Sequence, residues 1–134
     1  IMSIYGIGTD IINVSRIGKI LKKNKIKFKK KIFTKKEIFY CDSKKNPESY
    51  YAKRFAAKEA FVKALGTGFS NGLLHKDVEI INNKKGKPII KMSSRSAKII
   101  NKILKNKKYS IHLSLSDDKP WAVATVIINK NDQR

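Results

Sequence analysis

The chain of 134 residues carries 31 Lys and Arg against 10 Asp and Glu, so its formal net charge is +21. Its length fits one domain spanning residues 1–134, its single cysteine, Cys41, rules out an intrachain disulfide, and no apolar run approaches the ~20 residues of a membrane-spanning helix. The charge favours anionic partners such as nucleic acid, phosphorylated cofactors or acidic proteins, although the abundance of Lys, Ile and Asn is also what an AT-rich genome produces.

The first third of the chain predicts a strand followed by two helices. The apolar run from Ile4 to Ile12 predicts the strand, and the glycines at positions 6 and 8 indicate close approach of another backbone or of a ligand. Asn13 can cap the first helix, which has an apolar stripe at helical spacing. We predict a lysine-rich connection over residues 22–31. The capping box Thr34-Lys35-Lys36-Glu37 then predicts a second helix from about Lys35.

A third helix opens at Pro47 and ends at glycine. Proline is tolerated in a first helical turn, and Gly66 or Gly68 can supply the left-handed residue after Leu65. Glu59 and Lys63 are four residues apart, so they share one face of this helix. A carboxylate beside an ammonium group can hold a metal ion and a phosphate together, but the same spacing is typical of an exposed helical ion pair.

The second half of the chain predicts two hairpins separated by a helix. Period-two patterns and turn residues predict the strands, and Ser93 or Ser94 can cap the helix. In order, the predicted elements are strands over 77–82 and 88–92, a helix to Leu104, and strands over 109–116 and 121–128. We predict that the polar tail after Asn129 is frayed. Together with the first three helices, these strands indicate one α+β domain with an antiparallel sheet and packed helices.

Several other polar residues have both a structural and a functional interpretation. Asp10 can be a cap at the end of its strand or a metal ligand, and His112 can be an ordinary strand histidine or a contact to phosphate or ribose. Two histidines and one cysteine make a zinc site improbable. Gly66-Thr67-Gly68 is not a Walker loop, since it follows a helix, but its backbone N–H groups can still contact a phosphate.

Five segments become specific when they are taken together and in order. They are Gly6-Ile7-Gly8-Thr9-Asp10-Ile11 with Arg16-Ile17, Ile32 to Glu37, Arg54 to Gly68, Gly86-Lys87-Pro88, and His112 to Asp118 with Ala122 and Ala124. With these spacings the chain resembles the holo-acyl-carrier-protein synthase family, the small 4′-phosphopantetheinyl transferases, from about Ile4 to Ile128. The lysine-rich stretch and residues 73–76 are less similar to that family.

The resemblance implies a fold and a reaction. The fold is a strand, three helices, a hairpin, a further helix and a closing hairpin, assembled as a homotrimer with active sites at subunit interfaces. The reaction is the Mg²⁺-dependent transfer of 4′-phosphopantetheine from coenzyme A to a serine of apo acyl carrier protein. It releases adenosine 3′,5′-bisphosphate and serves fatty acid biosynthesis.

The resemblance also assigns roles to individual residues. It implies that Asp10 and Glu59 hold Mg²⁺ and that Lys63 is catalytic, either stabilising the phosphate or taking the serine proton. We favour the electrostatic role for Lys63. The implied contacts to coenzyme A are Arg54, Lys63, Gly66, Thr67, Gly68, Pro88 and His112. The implied contacts to the carrier protein are Arg16, Lys22 and Lys23.

Two rival functions are alternatives to this interpretation, and the compartment also has an alternative. The first rival is a basic nucleic-acid-binding module without catalysis, which rests on charge alone because no zinc finger, aromatic RNA-binding strand or basic heptad array is present. The second is a longer transferase of the same superfamily that modifies another carrier. The resemblance implies a bacterial cytoplasm. A plastid-like organelle is the alternative if a presequence has been removed before Ile1, and it fits the Lys and Asn bias.

Overall fold

The computed structural model describes residues 1–132 and has the element order that the family resemblance implies. The elements are β1 (Met2–Asn13), α1 (Val14–Ile32), α2 (Lys35–Asp42), α3 (Pro47–Leu65), a short 3-10 helix (His75–Asp77), β2 (Val78–Asn82), β3 (Pro88–Met92), α4 (Ser94–Ile103), β4 (Lys108–Asp118) and β5 (Trp121–Asn131). The predicted α+β class with antiparallel sheets is therefore confirmed. The prediction of a single domain over 1–134 stays a prediction.

Two antiparallel sheets form the β-structure of the described residues. The larger has the strand order β1-β5-β4, and the smaller is the β2-β3 hairpin. In the larger sheet Asp10 pairs with Ala124, which in turn pairs with Leu115. The inward residues of β5 are fully buried beneath α3: Ala122, Ala124, Val126 and Ile128. This arrangement places α3 across one face of the sheet and leaves the other face uncovered in the protomer.

The glycines of β1 allow α3 to lie directly on the strand. A Cβ atom at Gly8 would stand 1.8 Å from the carbonyl oxygen of Ala60, and one at Gly6 would stand 1.9 Å from that of Ala64. No side chain fits in such a gap, so only glycine permits this packing. The predicted close approach at these positions is confirmed, and the approaching group is the backbone of α3.

The helix ends follow the predicted local signals. The Asn13 side chain accepts a hydrogen bond from the N–H of Ser15, and Thr34 and Glu37 form the reciprocal capping box. Ser93 caps α4, and Gly66 ends α3 with a left-handed φ of 81°.

The predicted lysine-rich connection over residues 22–31 is wrong, because these residues are helical. α1 continues to Ile32 through a kink at Asn24, whose φ and ψ are −137° and 50°. The second half is stabilised by tertiary contacts: the Phe28 ring packs against Phe33 and Phe55 with centroid distances of 5.9 and 6.2 Å. Lysines in the last turn also interact favourably with the helix dipole.

The predicted frayed tail is wrong as far as Asp132. β5 extends to Asn131, and the carboxylate of Asp132 lies 2.9 Å from Lys107 Nζ and 3.3 Å from Lys130 Nζ. These ion pairs fasten the end of β5 beside the start of β4. Residues 133–134, on which the rest of that prediction falls, lie outside the described residues.

The uncovered face of the larger sheet carries exposed apolar side chains on β1 and polar side chains, such as His112 and Ser114, on β4. On β1 the side chains of Ile4, Ile7 and Ile11 are 59%, 60% and 61% exposed. Ile7 pairs with Ile127 of β5, and Ile127 pairs with His112 of β4, so these residues share this outer face.

Within residues 1–132, no helix combines the length and apolar content needed to cross a bilayer.

Candidate active site

Asp10 and Lys63 meet at the contact between β1 and α3. Lys63 Nζ lies 3.0 Å from Asp10 Oδ1 and donates a second hydrogen bond of 3.0 Å to the carbonyl oxygen of Thr9. The Asp10 side chain is 18% exposed, while Lys63 reaches into solvent. The structure therefore joins the predicted strand carboxylate to the helix face that also carries Glu59.

Glu59 is hydrogen-bonded to a residue that was not among the predicted site residues. His75 Nε2 lies 3.2 Å from Glu59 Oε1, and the Glu59 side chain is 30% exposed. An ionised carboxylate only accepts hydrogen bonds, so Nε2 carries the proton. Burial lowers the pKa of His75, against the opposing effect of Glu59, which favours a neutral imidazole at neutral pH.

A buried ion pair stands behind this contact. Lys58 Nζ lies 2.8 Å from Glu37 Oε1, and both side chains are 0% exposed. Lys58 also donates to the carbonyl oxygens of His75 (2.9 Å) and Val78 (2.7 Å), while Glu37 Oε2 accepts from the N–H of Ile80 at 3.0 Å. Burial lowers the pKa of Lys58. This Lys58–Glu37 pair ties α2, α3 and β2 together and fixes the backbone of His75.

Arg54 lies in a separate cavity. Its guanidinium group stacks over the Tyr40 ring at 4.3 Å and donates to Asn82 Oδ1 at 2.8 Å. Its Nε is buried and has no hydrogen-bond partner among residues 1–132. Arg54, Tyr40 and Asn82, together with Lys36, Ile80 and Ile81, line a cavity of about 350 Å³. No described hydrogen bond joins Arg54 to Asp10, Glu59 or Lys63.

The glycine-rich loop after α3 turns its N–H groups inward. The N–H groups of Gly66, Thr67 and Gly68 lie 3.0, 3.3 and 3.4 Å from the carbonyl oxygen of Val62. Gly68 also has a positive φ, of 61°. The predicted phosphate contact of this loop stays a prediction, and in this conformation its N–H groups already have a carbonyl partner.

The remaining predicted residues lie elsewhere on the surface. His112 is exposed on β4 and accepts a hydrogen bond from Asn129 Nδ2 at 3.2 Å. Pro88 begins β3, opposite Asn82. Arg16, Lys22 and Lys23 are exposed on α1. Among the described residues, no hydrogen bond or ion pair connects these five to Asp10 or Glu59, so their roles stay predictions.

Asp10 and Glu59 are the side chains best suited to hold a cation here. No cluster of three or more His, Cys, Asp or Glu side chains that could bind a metal occurs within residues 1–132. Each of these two carboxylates has one oxygen engaged, Asp10 Oδ1 by Lys63 and Glu59 Oε1 by His75. In the described part of the chain, Oδ2 of Asp10 and Oε2 of Glu59 have no hydrogen-bond partner. Each carboxylate therefore has an oxygen available to a metal that takes few protein ligands.

Sequence reasoning missed His75 and the Lys58–Glu37 pair. His75 is one of the two histidines counted against a zinc site, and Glu37 is predicted only as a capping residue. Their partners lie 16 and 21 residues away in the chain, so no local pattern reveals the contacts. The dissimilarity of residues 73–76 to the family pattern was the one signal that pointed to this segment.

Comparisons with known proteins agree with the motifs. The family model of the 4′-phosphopantetheinyl transferase superfamily matches residues 6–126. The holo-[acyl-carrier-protein] synthase of Wolbachia pipientis is 52% identical over 128 residues, which cover 93% of this chain and 97% of that protein. The solved holo-[acyl-carrier-protein] synthase of Neisseria meningitidis superposes with a TM-score of 0.85 at 35% identity, covering 94% of this chain and 98% of that one. The Helicobacter pylori enzyme in complex with coenzyme A superposes with a TM-score of 0.78 at 34% identity, covering 91% and 98%. The chain therefore belongs to the 4′-phosphopantetheinyl transferase superfamily.

Proposed function

We propose that this chain transfers 4′-phosphopantetheine from coenzyme A to a serine of apo acyl carrier protein and releases adenosine 3′,5′-bisphosphate. The observation that carries the proposal is the ion pair between Asp10 and Lys63, which brings the strand carboxylate to the face of α3 that bears Glu59. The proposal is supported by the relatives named holo-[acyl-carrier-protein] synthase and by the coenzyme A complex of the Helicobacter pylori relative.

The reaction needs positive charge more than it needs covalent participation by the protein. The serine oxygen bonds to the β-phosphorus of coenzyme A, the bond from that phosphorus to the bridging oxygen of the leaving bisphosphate breaks, and the serine proton passes to solvent. Negative charge is spread over the phosphoryl oxygens in the transition state, so fixed cations lower the barrier. Lys63 is solvent-accessible and pairs with the Asp10 carboxylate at 3.0 Å, which supports an electrostatic role over removal of the proton.

The carboxylates of Asp10 and Glu59 fit Mg²⁺, which is usually bound by one or two carboxylates plus substrate phosphates. Gly8 lies on the carbonyl of Ala60, and Asp10 is two residues, about 7 Å, further along the strand. Glu59 directly precedes Ala60 and shares a helix face with Lys63, the residue that contacts Asp10. The two carboxylates therefore flank one strand–helix contact. When bound, Mg²⁺ would neutralise charge on the pyrophosphate of coenzyme A.

We propose that the carrier protein docks on α1. Arg16, Lys22 and Lys23 are exposed there, and the chain has a net charge of +21. A positive surface attracts an acidic partner and accelerates its association at low salt.

We also propose a homotrimer, which the exposed isoleucines on the outer face of the sheet support. Three isoleucines on the outer side of β1 are more than half exposed, and large apolar side chains exposed together on one surface are typical of an interface. His112 belongs to the same face. A neighbouring copy packed there would meet His112, so the predicted contact of His112 with coenzyme A would be made across a subunit interface.

The proposed pathway is fatty acid biosynthesis, since holo acyl carrier protein carries growing acyl chains. The proposed compartment is the bacterial cytoplasm, with a plastid-like organelle as the alternative. The pathway and the bacterial cytoplasm follow from the family resemblance, and the Lys and Asn bias of the chain fits the organelle alternative.

Mass spectrometry of apo acyl carrier protein tests the reaction directly. Incubation with this chain, coenzyme A and Mg²⁺ should add one phosphopantetheine to the carrier. Removal of the metal with a chelator should prevent this addition. An unmodified carrier under the complete conditions would overturn the proposal. Binding to unrelated DNA at physiological salt without selection for coenzyme A would instead favour the nucleic-acid-binding alternative.

A further inference from the structure

Two aromatic rings and a contact with the Glu59 carboxylate fix the orientation of the His75 imidazole. The imidazole ring is stacked on Phe69, with a centroid distance of 3.7 Å and an interplanar angle of 24°. On its other neighbour, Phe55, the centroid distance is 5.9 Å and the angle is 15°. These two rings fix the plane of the imidazole, and the one ring nitrogen in contact with a carboxylate is Nε2, at 3.2 Å from Glu59 Oε1.

The backbone that carries His75 is also fixed. Lys58 Nζ donates to the carbonyl oxygen of His75 at 2.9 Å from within the fully buried Lys58–Glu37 pair. Lys58 is the residue directly before Glu59 in α3. His75 and its partner Glu59 are therefore both anchored to the same turn of α3. This leaves little freedom for the Glu59 carboxylate to rotate.

We propose that His75 is a positioning residue: by donating from Nε2 to Oε1 of Glu59, it holds the other carboxylate oxygen toward Asp10 and so sets the affinity of the site for a divalent cation. This inference rests on the proposed metal-binding role of Asp10 and Glu59. Residues that orient metal ligands typically change metal affinity 10–100-fold when they are removed. A histidine that only fills space between Phe55 and Phe69 would be replaceable by another aromatic ring without such an effect.

The test measures metal binding and not turnover. Mn²⁺ is titrated into the full chain with saturating coenzyme A, and free Mn²⁺ is followed by electron paramagnetic resonance at about pH 8, where an imidazole is neutral. His75→Phe keeps an aromatic ring in the stack and removes the donor. His75→Gln keeps an N–H donor near the position of Nε2. Thermal unfolding of each variant reports on the fold.

We expect His75→Phe to weaken the Mn²⁺ dissociation constant about ten-fold or more, and His75→Gln to restore most of the affinity. Wild-type Mn²⁺ affinity in folded His75→Phe would overturn the proposal. If that variant does not fold, His75→Gln and His75→Met form a pair of similar length that differs in the donor. Equal Mn²⁺ affinities in these two would then overturn it.

A Glu59→Gln variant separates this inference from the proposed function. If Glu59→Gln loses Mn²⁺ while His75→Phe binds it as the wild type does, the metal site stands and the positioning role of His75 is wrong. If Glu59→Gln binds Mn²⁺ with wild-type affinity, Glu59 is not a ligand. In that case the proposed metal site and the inference fail together.

Discussion

Replacing Lys58 with methionine keeps most of the volume of the side chain and removes its charge. In the wild type, the ammonium group pairs with Glu37 at 2.8 Å and satisfies the carbonyl oxygens of His75 and Val78. The variant leaves the Glu37 carboxylate buried without its cation and leaves two carbonyl groups without their donor. Because both charged side chains are 0% exposed, water cannot replace the lost contacts unless the structure opens.

Breaking a buried pair in this way costs about 3–5 kcal/mol. A domain of ordinary stability has only about 5–15 kcal/mol of unfolding free energy, so the loss should be plain in urea unfolding. Lys53→Met is the matched control on the same helix. Lys53 pairs with Asp117 at 3.2 Å in a partly exposed position, and such surface pairs contribute about 0–1 kcal/mol.

The dependence of the loss on pH tests its cause. In Lys58→Met, proton uptake by Glu37 removes the unpaired buried charge, so the folded variant gains protons more readily than the unfolded chain. Its stability relative to the wild type should therefore rise as the pH is lowered from neutral to mildly acidic values. Equal losses for Lys58→Met and Lys53→Met, or a loss that is the same at both pH values, would refute the reasoning.

Asp10→Ala should lower the rate of carrier-protein modification by about 10²–10³-fold with little change in the thermal midpoint, and a wild-type rate would contradict its proposed role. Gly8→Ala should lower the unfolding free energy by about 1–3 kcal/mol in urea, because its new Cβ would stand 1.8 Å from the carbonyl oxygen of Ala60; an unchanged midpoint would mean that α3 can move away. Arg16→Glu should raise the KM for the carrier protein far more than that for coenzyme A, whereas equal increases would argue against docking on α1. Burial raises the pKa of Cys41 to about 12, so a thiol reagent at mildly alkaline pH should modify it only after unfolding, and rapid labelling of the native chain would contradict its buried position.

The sequence predicted those parts of the fold that depend on neighbouring residues. The capping box of Thr34 and Glu37, the cap at Asn13 and the left-handed Gly66 each depend on contacts within a few positions, and each is confirmed. The helix over residues 22–31 was missed because its lysines obscure the apolar pattern. What stabilises that segment is packing of Phe28 on Phe55, which lies 27 residues further along the chain.

The candidate site shows the same division between local and distant contacts. The helix face that carries Glu59 and Lys63 follows from their spacing, and the two glycines of β1 indicated a close contact. That Lys63 would reach Asp10, and that His75 would reach Glu59, depends on how β1 and the 3-10 helix fold back on α3. Spacing in the sequence carries no information about such meetings between distant segments.

The glycine-lined contact between β1 and α3 also limits how this chain can diverge. Where two main chains touch, no side chain is available for later substitutions to enlarge or shrink, so the distance between β1 and α3 is set by the two backbones themselves. A change in this distance would require simultaneous changes in the backbones of β1 and α3. The lysines exposed on α1 are not constrained in this way, so that surface can change one residue at a time together with the partner that we propose to dock there.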